Sequence, residues 1–211
     1  KDFFINYEAH TCDITLKLGD QNSLRYINSH PESDWNITLA ETGLNSMTGA
    51  RVKRIERYIK EDVFMLTYGD GLGDIDIDAL VAFHHAHGKA ITVTGVNPPG
   101  RFGELCHDTR GQVTGFNEKP QVAGGRISGG FFVCSRRIFN YLNDDASLIL
   151  EREPLEMLVH DGEMMIYEHD GFWQPMDTHR EYILLNDQYT SGEAPWLKCA
   201  NIAEHEKVST M

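Results

Sequence analysis

The chain has 211 residues, 41% of them hydrophobic, enough for one sizeable core, and a formal net charge of -13. Its acids are spread along the chain instead of gathered in a tail, which excludes a binder of long nucleic acids built on basic stripes and leaves room for a small anionic ligand in one cleft. No apolar run has the length of a bilayer span, KDFFINYEAH lacks the zones of a signal peptide, and Cys12, Cys106, Cys134 and Cys199 show no C-x-x-C spacing, so the expectation is a reduced, cytoplasmic protein with no membrane partner and no structural zinc.

In chain order, KDFFINYEAHT resembles the end of a helix. NSMTGARVKRI, residues 45–55, joins a small-residue turn to a basic helix start. Its backbone N–H groups and Arg51 could meet a nucleotide, or the helix could be an ordinary exposed one with Lys53 and Arg54 in solvent. Val63 to Tyr68 reads as a strand, Ile75 to His87 as a helix closed by Gly88, and Ala90 to Val96 as the next strand. That unit predicts a βαβ crossover with parallel strands. After Pro98-Pro99-Gly100, short strands at Gly103 to Cys106, Gln112 to Asn117 and Ile127 to Cys134 alternate with Gly-rich turns, which predicts an antiparallel or mixed portion of the sheet. RRIFNYL and REPLEMLVHDG carry helical spacing, EMMIYEH reads as a strand, and THREYILLNDQY as a last long helix. The expected fold is α/β, a Rossmann-like mixed sheet flanked by helices, in one domain over residues 1–196 with 197–211 as a C-terminal extension.

The candidate residues follow from this frame. Asp70 sits between Gly69 and Gly71 at the carboxyl end of a strand, where ligands of open α/β sheets gather, although a turn aspartate bonding its own backbone has the same local pattern. Asp74, Asp76 and Asp78 do not form a calcium loop, because Ala79 stands where glycine is needed and His85 where an acid is needed. They suit the first turn of a helix, and Asp74-Ile75-Asp76 matches the D-x-D of metal-dependent glycosyltransferases only trivially. His84, His85 and His87 read as surface or packing residues, too few for a metal. Glu118 and Lys119, pinned by Pro120 after a strand, could bind a sugar phosphate or simply face solvent. Asp177 precedes a helix as either an N-cap or a ligand, and Trp173 is either core or a wall for a ring-shaped ligand.

Taken together and in order, SMTGARVKR, LTYGDG, PPGRFG, EKP, SGGFFV and GFWQPMDT resemble the sugar-nucleotide pyrophosphorylases from residue 1 to about Trp196. The wording of SMTG and FWQPMDT is similar to their cytidylyl branch, which makes CDP-glucose and pyrophosphate from CTP and glucose 1-phosphate with Mg²⁺. The resemblance implies a fold of the nucleotide-diphospho-sugar transferase type and a homo-oligomer with these small-molecule substrates. It makes Asp70 and Asp177 the two carboxylates that hold Mg²⁺. It places Lys119 on the sugar phosphate, Glu118 on the sugar hydroxyls, and Gly103 and Gly130 along the sugar through backbone groups. Ser46, Thr48, Gly49 and Arg51 would lie along the nucleotide. The family's opening strand and G-G-x-G-T-R loop have no counterpart, since Gly124-Gly125 and Gly129-Gly130 sit in later turns without the Thr-Arg. The expectation is a member that is N-terminally incomplete. The alternatives are a catalytically inactive fragment or sugar-phosphate-binding module of the same fold, and a metal-dependent glycosyltransferase.

Overall fold

The computed structural model describes residues 1–28, 32–98, 104–107, 109–110, 112–117 and 125–197. They fall into two compact units, the first spanning Lys1–Gly43 and the second beginning at Leu44.

In the first unit the predicted helical segment is two short helices, α1 (Asp2–Ile5) and α2 (Tyr7–Thr11). Asn6 divides them: its backbone N–H and its side-chain amide both donate to the Asp2 carbonyl at 3.0 Å, so the side chain competes for the helical acceptor. β1 (Asp13–Thr15) and β2 (Arg25–Ile27) follow as an antiparallel pair with Asp13 opposite Ile27. A cavity of about 350 Å³ in this unit is lined by Phe4, Tyr7, Trp35, Ile37 and Leu39 with the single acid Glu32, a set without the paired charges that phosphate chemistry requires.

The second unit contains, in order, α3 (Thr48–Ile55), β3 (Val63–Thr67), β4 (Gly71–Gly73), α4 (Ile77–His87), β5 (Ile91–Val96), β6 (Glu104–His107), β7 (Val113–Asn117), β8 (Ile127–Ser135), α5 (Glu153–His160), β9 (Met164–His169), β10 (Trp173–Pro175) and α6 (His179–Thr190). The main sheet has the order β3-β8-β5-β9. All six residues of β5 are buried, as a β-branched run covered on both faces should be. Ile91 and Val93 pack with Ala50 and Val52 of α3, Phe132 and Cys134 of β8, Ile138 and Phe139 of the next segment, and Leu158 of α5. Val133, on the opposite face of β8, packs with Ile75 and Leu80 beneath α4. Asp76 begins α4 by accepting from the Ala79 N–H at 2.9 Å, and Gly88 ends it at φ 62, where a Cβ would be strained.

Two expectations need correction. β3 and β5 run in the same direction, as the crossover predicts, but they are not neighbours: β8 lies between them, antiparallel to both. The parallel pairing is made instead by β5 and β9, from Ile91 opposite Met164 to Val96 opposite His169. RRIFNYL is a 3-10 segment, Arg136–Tyr141, and not an α-helix. It is confined between Ser135, whose hydroxyl accepts from the Arg137 N–H, and Leu142, which returns to extended backbone, a short connector of the kind in which 3-10 turns are used. Outside the main sheet, β6 pairs with β7 and β4 with β10, each pair antiparallel. No helix among the described residues is long and apolar enough to cross a membrane.

Candidate active site

The strand β3 runs out at Thr67, and the chain turns through Gly69 and Asp70 into β4. Gly73, Leu72 and Gly71 of β4 stand opposite Trp173, Gln174 and Pro175 of β10. One step beyond the ladder, the Met176 N–H donates to the Asp70 carbonyl at 2.7 Å. Asp70 and Asp177, remote in sequence, thus occupy adjoining positions at the carboxyl end of β3. Both are exposed, and among the described residues no hydrogen bond or ion pair engages either carboxylate.

Asp177 is not the cap of α6. Thr178 is: its hydroxyl accepts from the Glu181 N–H at 3.3 Å, and Glu181 Oε2 accepts in return from the N–H groups of Thr178 at 2.8 Å and Asp177 at 2.9 Å. This is a capping box, and T-H-R-E at 178–181 is its sequence signature. Capping therefore makes no demand on the Asp177 carboxylate.

The segment expected along the nucleotide is stitched to residues 146–151. Met47 N–H donates to Ala146 O at 2.8 Å and Gly49 N–H to Leu148 O at 3.0 Å. A Cβ on Gly49 would lie 2.9 Å from Leu148 Cγ, so this close approach requires glycine. Thr48 Oγ1 donates to Glu151 Oε2 at 2.7 Å and accepts from the Leu150 N–H at 2.9 Å. Arg51 donates to the carbonyls of Ser46 at 2.8 Å and Leu44 at 3.1 Å, and Arg54 donates to the buried Ser46 hydroxyl. Glu151 has no sequence signal of its own, because L-E-R-E-P reads as an ordinary helix start. Its second oxygen accepts from the Tyr68 hydroxyl, so one carboxylate joins the 46–51 segment to the residue that opens the Gly69-Asp70 turn. Burial, then the Glu151 hydrogen bond and charge, then the Asp70 charge push the Tyr68 phenol up, keeping it a neutral donor.

Trp173 is neither free nor fully core. Half-buried, it donates through Nε1 to the Gly129 carbonyl at 2.8 Å, which fixes β10 to β8. Gly130 adopts φ 78 and its carbonyl accepts from the Tyr68 N–H at 3.0 Å, while a Cβ there would come within 2.9 Å of the Tyr68 ring. Gly103, Glu118 and Lys119 lie outside the described residues.

Two of the three histidines of α4, the buried His84 and the half-buried His87, form a relay through Thr92. The Lys89 N–H donates to His87 Nδ1 at 2.9 Å, so His87 carries its proton on Nε2 and donates it to Thr92 Oγ1 at 2.7 Å. Thr92 then gives its own hydrogen to His84 Nδ1 at 2.8 Å. Both rings are neutral in this chain of bonds, and burial pushes the pKa of His84 down to about 4. Packing is therefore their role, as expected. At the carboxyl ends of β5 and β9, Arg126 donates to His169 O at 2.9 Å, Glu168 at 3.1 Å and Asp170 at 2.8 Å. Its hydrogen bond and charge hold the Asp170 carboxyl below the usual range.

Among the described residues no group of three or more His, Cys, Asp and Glu could cage a metal alone. Two exposed carboxylates nevertheless suit Mg²⁺, which takes one or two protein carboxylates and fills its other positions with water and substrate phosphate oxygens.

The fold is α/β, a mixed sheet flanked by helices, and known proteins show the class to which it belongs. A family model described as nucleotidyl transferase matches residues 5–192. A glucose-1-phosphate cytidylyltransferase of Salmonella typhimurium is 46% identical over 198 residues, 93% of this chain and 75% of that protein. The Salmonella typhi protein of the same description is 46% identical over 197 residues, with the same coverage of 93% and 75%. A solved structure of HddC from Yersinia pseudotuberculosis shares the fold with a TM-score of 0.50 at 20% identity, over 68% of this chain and 62% of that one. The chain belongs to the nucleotidyl transferase family, and within it to the glucose-1-phosphate cytidylyltransferases.

Proposed function

We propose that the chain transfers a cytidylyl group, converting CTP and glucose 1-phosphate into CDP-glucose and pyrophosphate. The observation that carries this reading is the β4–β10 ladder, which sets Asp70 and Asp177 in adjoining backbone positions, with no hydrogen bond or ion pair engaging either carboxylate among the described residues. An oxygen of the sugar phosphate bonds to the α-phosphorus of CTP as the bond to the bridging oxygen of pyrophosphate breaks, so positioning and charge neutralisation suffice and no protein nucleophile is required. Mg²⁺, held by Asp70 and Asp177, supplies neutralisation of the nucleotide phosphates. Lys119 carries the countercharge for the sugar phosphate, Glu118 accepts from sugar hydroxyls, Gly103 and Gly130 allow the sugar close to the backbone, and Trp173 walls the ring. Ser46, Thr48, Gly49 and Arg51 border the nucleotide, and the bonds that fasten Thr48 and Gly49 to residues 148–151 and Arg51 to the Ser46 carbonyl support a preorganised edge there. The names of the Salmonella relatives support cytosine and glucose as the substrate groups. The family match across both units supports a catalytic span of 1–196. The proposal includes a cytoplasmic homo-oligomer, the compartment being supported by the free thiols Cys12 and Cys134 among the described residues.

The test is pyrophosphate release by the full chain. Release is expected with CTP and glucose 1-phosphate in the presence of Mg²⁺, and is expected to vanish with chelator and in Asp70→Asn. Lys119→Ala should raise KM for glucose 1-phosphate more than for CTP. Glucose transfer from CDP-glucose to an acceptor, or glucose 1-phosphate binding without any release, would overturn the proposal.

A further inference from the structure

We propose that Asp74, His169 and Gly171 form a latch that fastens the β4–β10 pair to the main sheet and so positions Asp70 and Asp177, a role that rests on the metal reading above. The two strands are three residues each, and a two-stranded pair is marginal in water even at greater length. Something outside the ladder has to hold it. Trp173 does so at one point through Gly129. His169 does so at the end away from the carboxylates.

His169 is the last residue of β9, held opposite Val96, and Arg126 binds its carbonyl at 2.9 Å. Its side chain is only 10% exposed, with Nε2 3.0 Å from Asp74 Oδ1 and 3.2 Å from the Phe172 carbonyl. The hydrogen bond runs from Nε2 to the Phe172 carbonyl, and Asp74 Oδ1 lies against the same nitrogen as a close polar contact, so one ring on the sheet touches the exit of β4 and the entrance of β10 at once. The same end is closed by the Asp74 N–H donating to Phe172 O at 3.1 Å. Gly171 supplies an independent observation. A Cβ there would run into Asp74 Oδ1 and lie 2.9 Å from His169 Nε2, so the approach of acid and imidazole depends on glycine at that position. From this fixed end, three ladder steps lead to the Met176–Asp70 bond and the two carboxylates. Asp74 and His169 touch no substrate in this scheme; they are positioning residues.

The experiment follows amide hydrogen exchange and Mn²⁺ binding, with free Mn²⁺ read by electron paramagnetic resonance, in the full chain and its variants. His169→Leu and Gly171→Ala should speed exchange at the Asp74 and Met176 amides, leave the β5 amides protected, and weaken Mn²⁺ about tenfold, as supporting residues of metal sites do. His169→Gln, which keeps an N–H donor of similar reach, should restore both readouts. Unchanged exchange at Asp74 and Met176 in both disruptive variants overturns the latch. Faster exchange with undiminished Mn²⁺ affinity overturns its positioning role. Equal Mn²⁺ binding by wild type and Asp70→Asn overturns the metal reading and the positioning role with it, the exchange pattern alone then deciding whether the latch holds the ladder.

Discussion

Replacing His84 by leucine removes the titrating end of the Thr92 relay. His84 is 1% exposed, and burial, reinforced by His87, His85 and Arg137, lowers its pKa from 6.5 to about 4. The groups around the relay are Thr92 on β5, His85 and His87 on α4, Lys89 after it, Arg137, and Glu163 before β9. Because the folded state favours the neutral ring, the stabilisation is complete above pH 6.5 and is lost as pH falls toward 4, the range in which the unfolded chain binds the extra proton. The difference between the two pKa values corresponds to about 3 kcal/mol at most, of which about 2 kcal/mol is gone by pH 5. Leucine does not titrate, but it deprives the Thr92 hydroxyl of its acceptor, at a cost of about 1 kcal/mol. The variant should therefore be less stable than wild type by about 1 kcal/mol at pH 8, with the gap closing or reversing at pH 5. Urea unfolding followed by circular dichroism at the two pH values measures this directly. A gap of the same size at both would refute the reasoning, because the general loss of stability in acid is common to both proteins and cancels in the comparison.

Thr178→Ala should destabilise α6 by about 1 kcal/mol, whereas Asp177→Asn should change stability by less than about 0.5 kcal/mol and impair Mn²⁺ binding; urea unfolding and metal titration read the two effects, and a large stability loss in Asp177→Asn would return that residue to a structural role. Cys134 is fully buried and its thiol is pushed up to about 12, so brief iodoacetamide treatment at pH 8 should label Cys12 and spare Cys134, as read by mass spectrometry, with equal labelling contradicting the packing of β8.

The residues of the site were more legible than their arrangement. Asp70 between its glycines and Asp177 in P-M-D-T are conspicuous as text, but the ladder that joins them is made of G-L-G and W-Q-P, whose glycines and proline carry almost no strand signal. α4 was readable because local chemistry decides it, with Asp76 at one end and Gly88 at the other. The neighbour of β5 was not, because an apolar run fits beside β3 as well as beside β8, and the choice is settled by packing between distant segments. Glu151 had no signal at all: a carboxylate accepting from Thr48 and Tyr68 acquires meaning only when three separated stretches meet.

The place of β8 between β3 and β5 also has a consequence for how the chain is made. During synthesis β3 and β5 leave the ribosome before β8, and the edges they turn toward each other have no complement until residues 127–135 emerge. Until then two β-branched or aromatic strands present open backbone donors and acceptors to any other chain nearby. Assembly of the sheet is thus an insertion, governed by the time taken to translate and deliver β8. Synonymous changes that slow translation between the codons for β5 and β8 would lengthen that exposure without altering a single residue of the product.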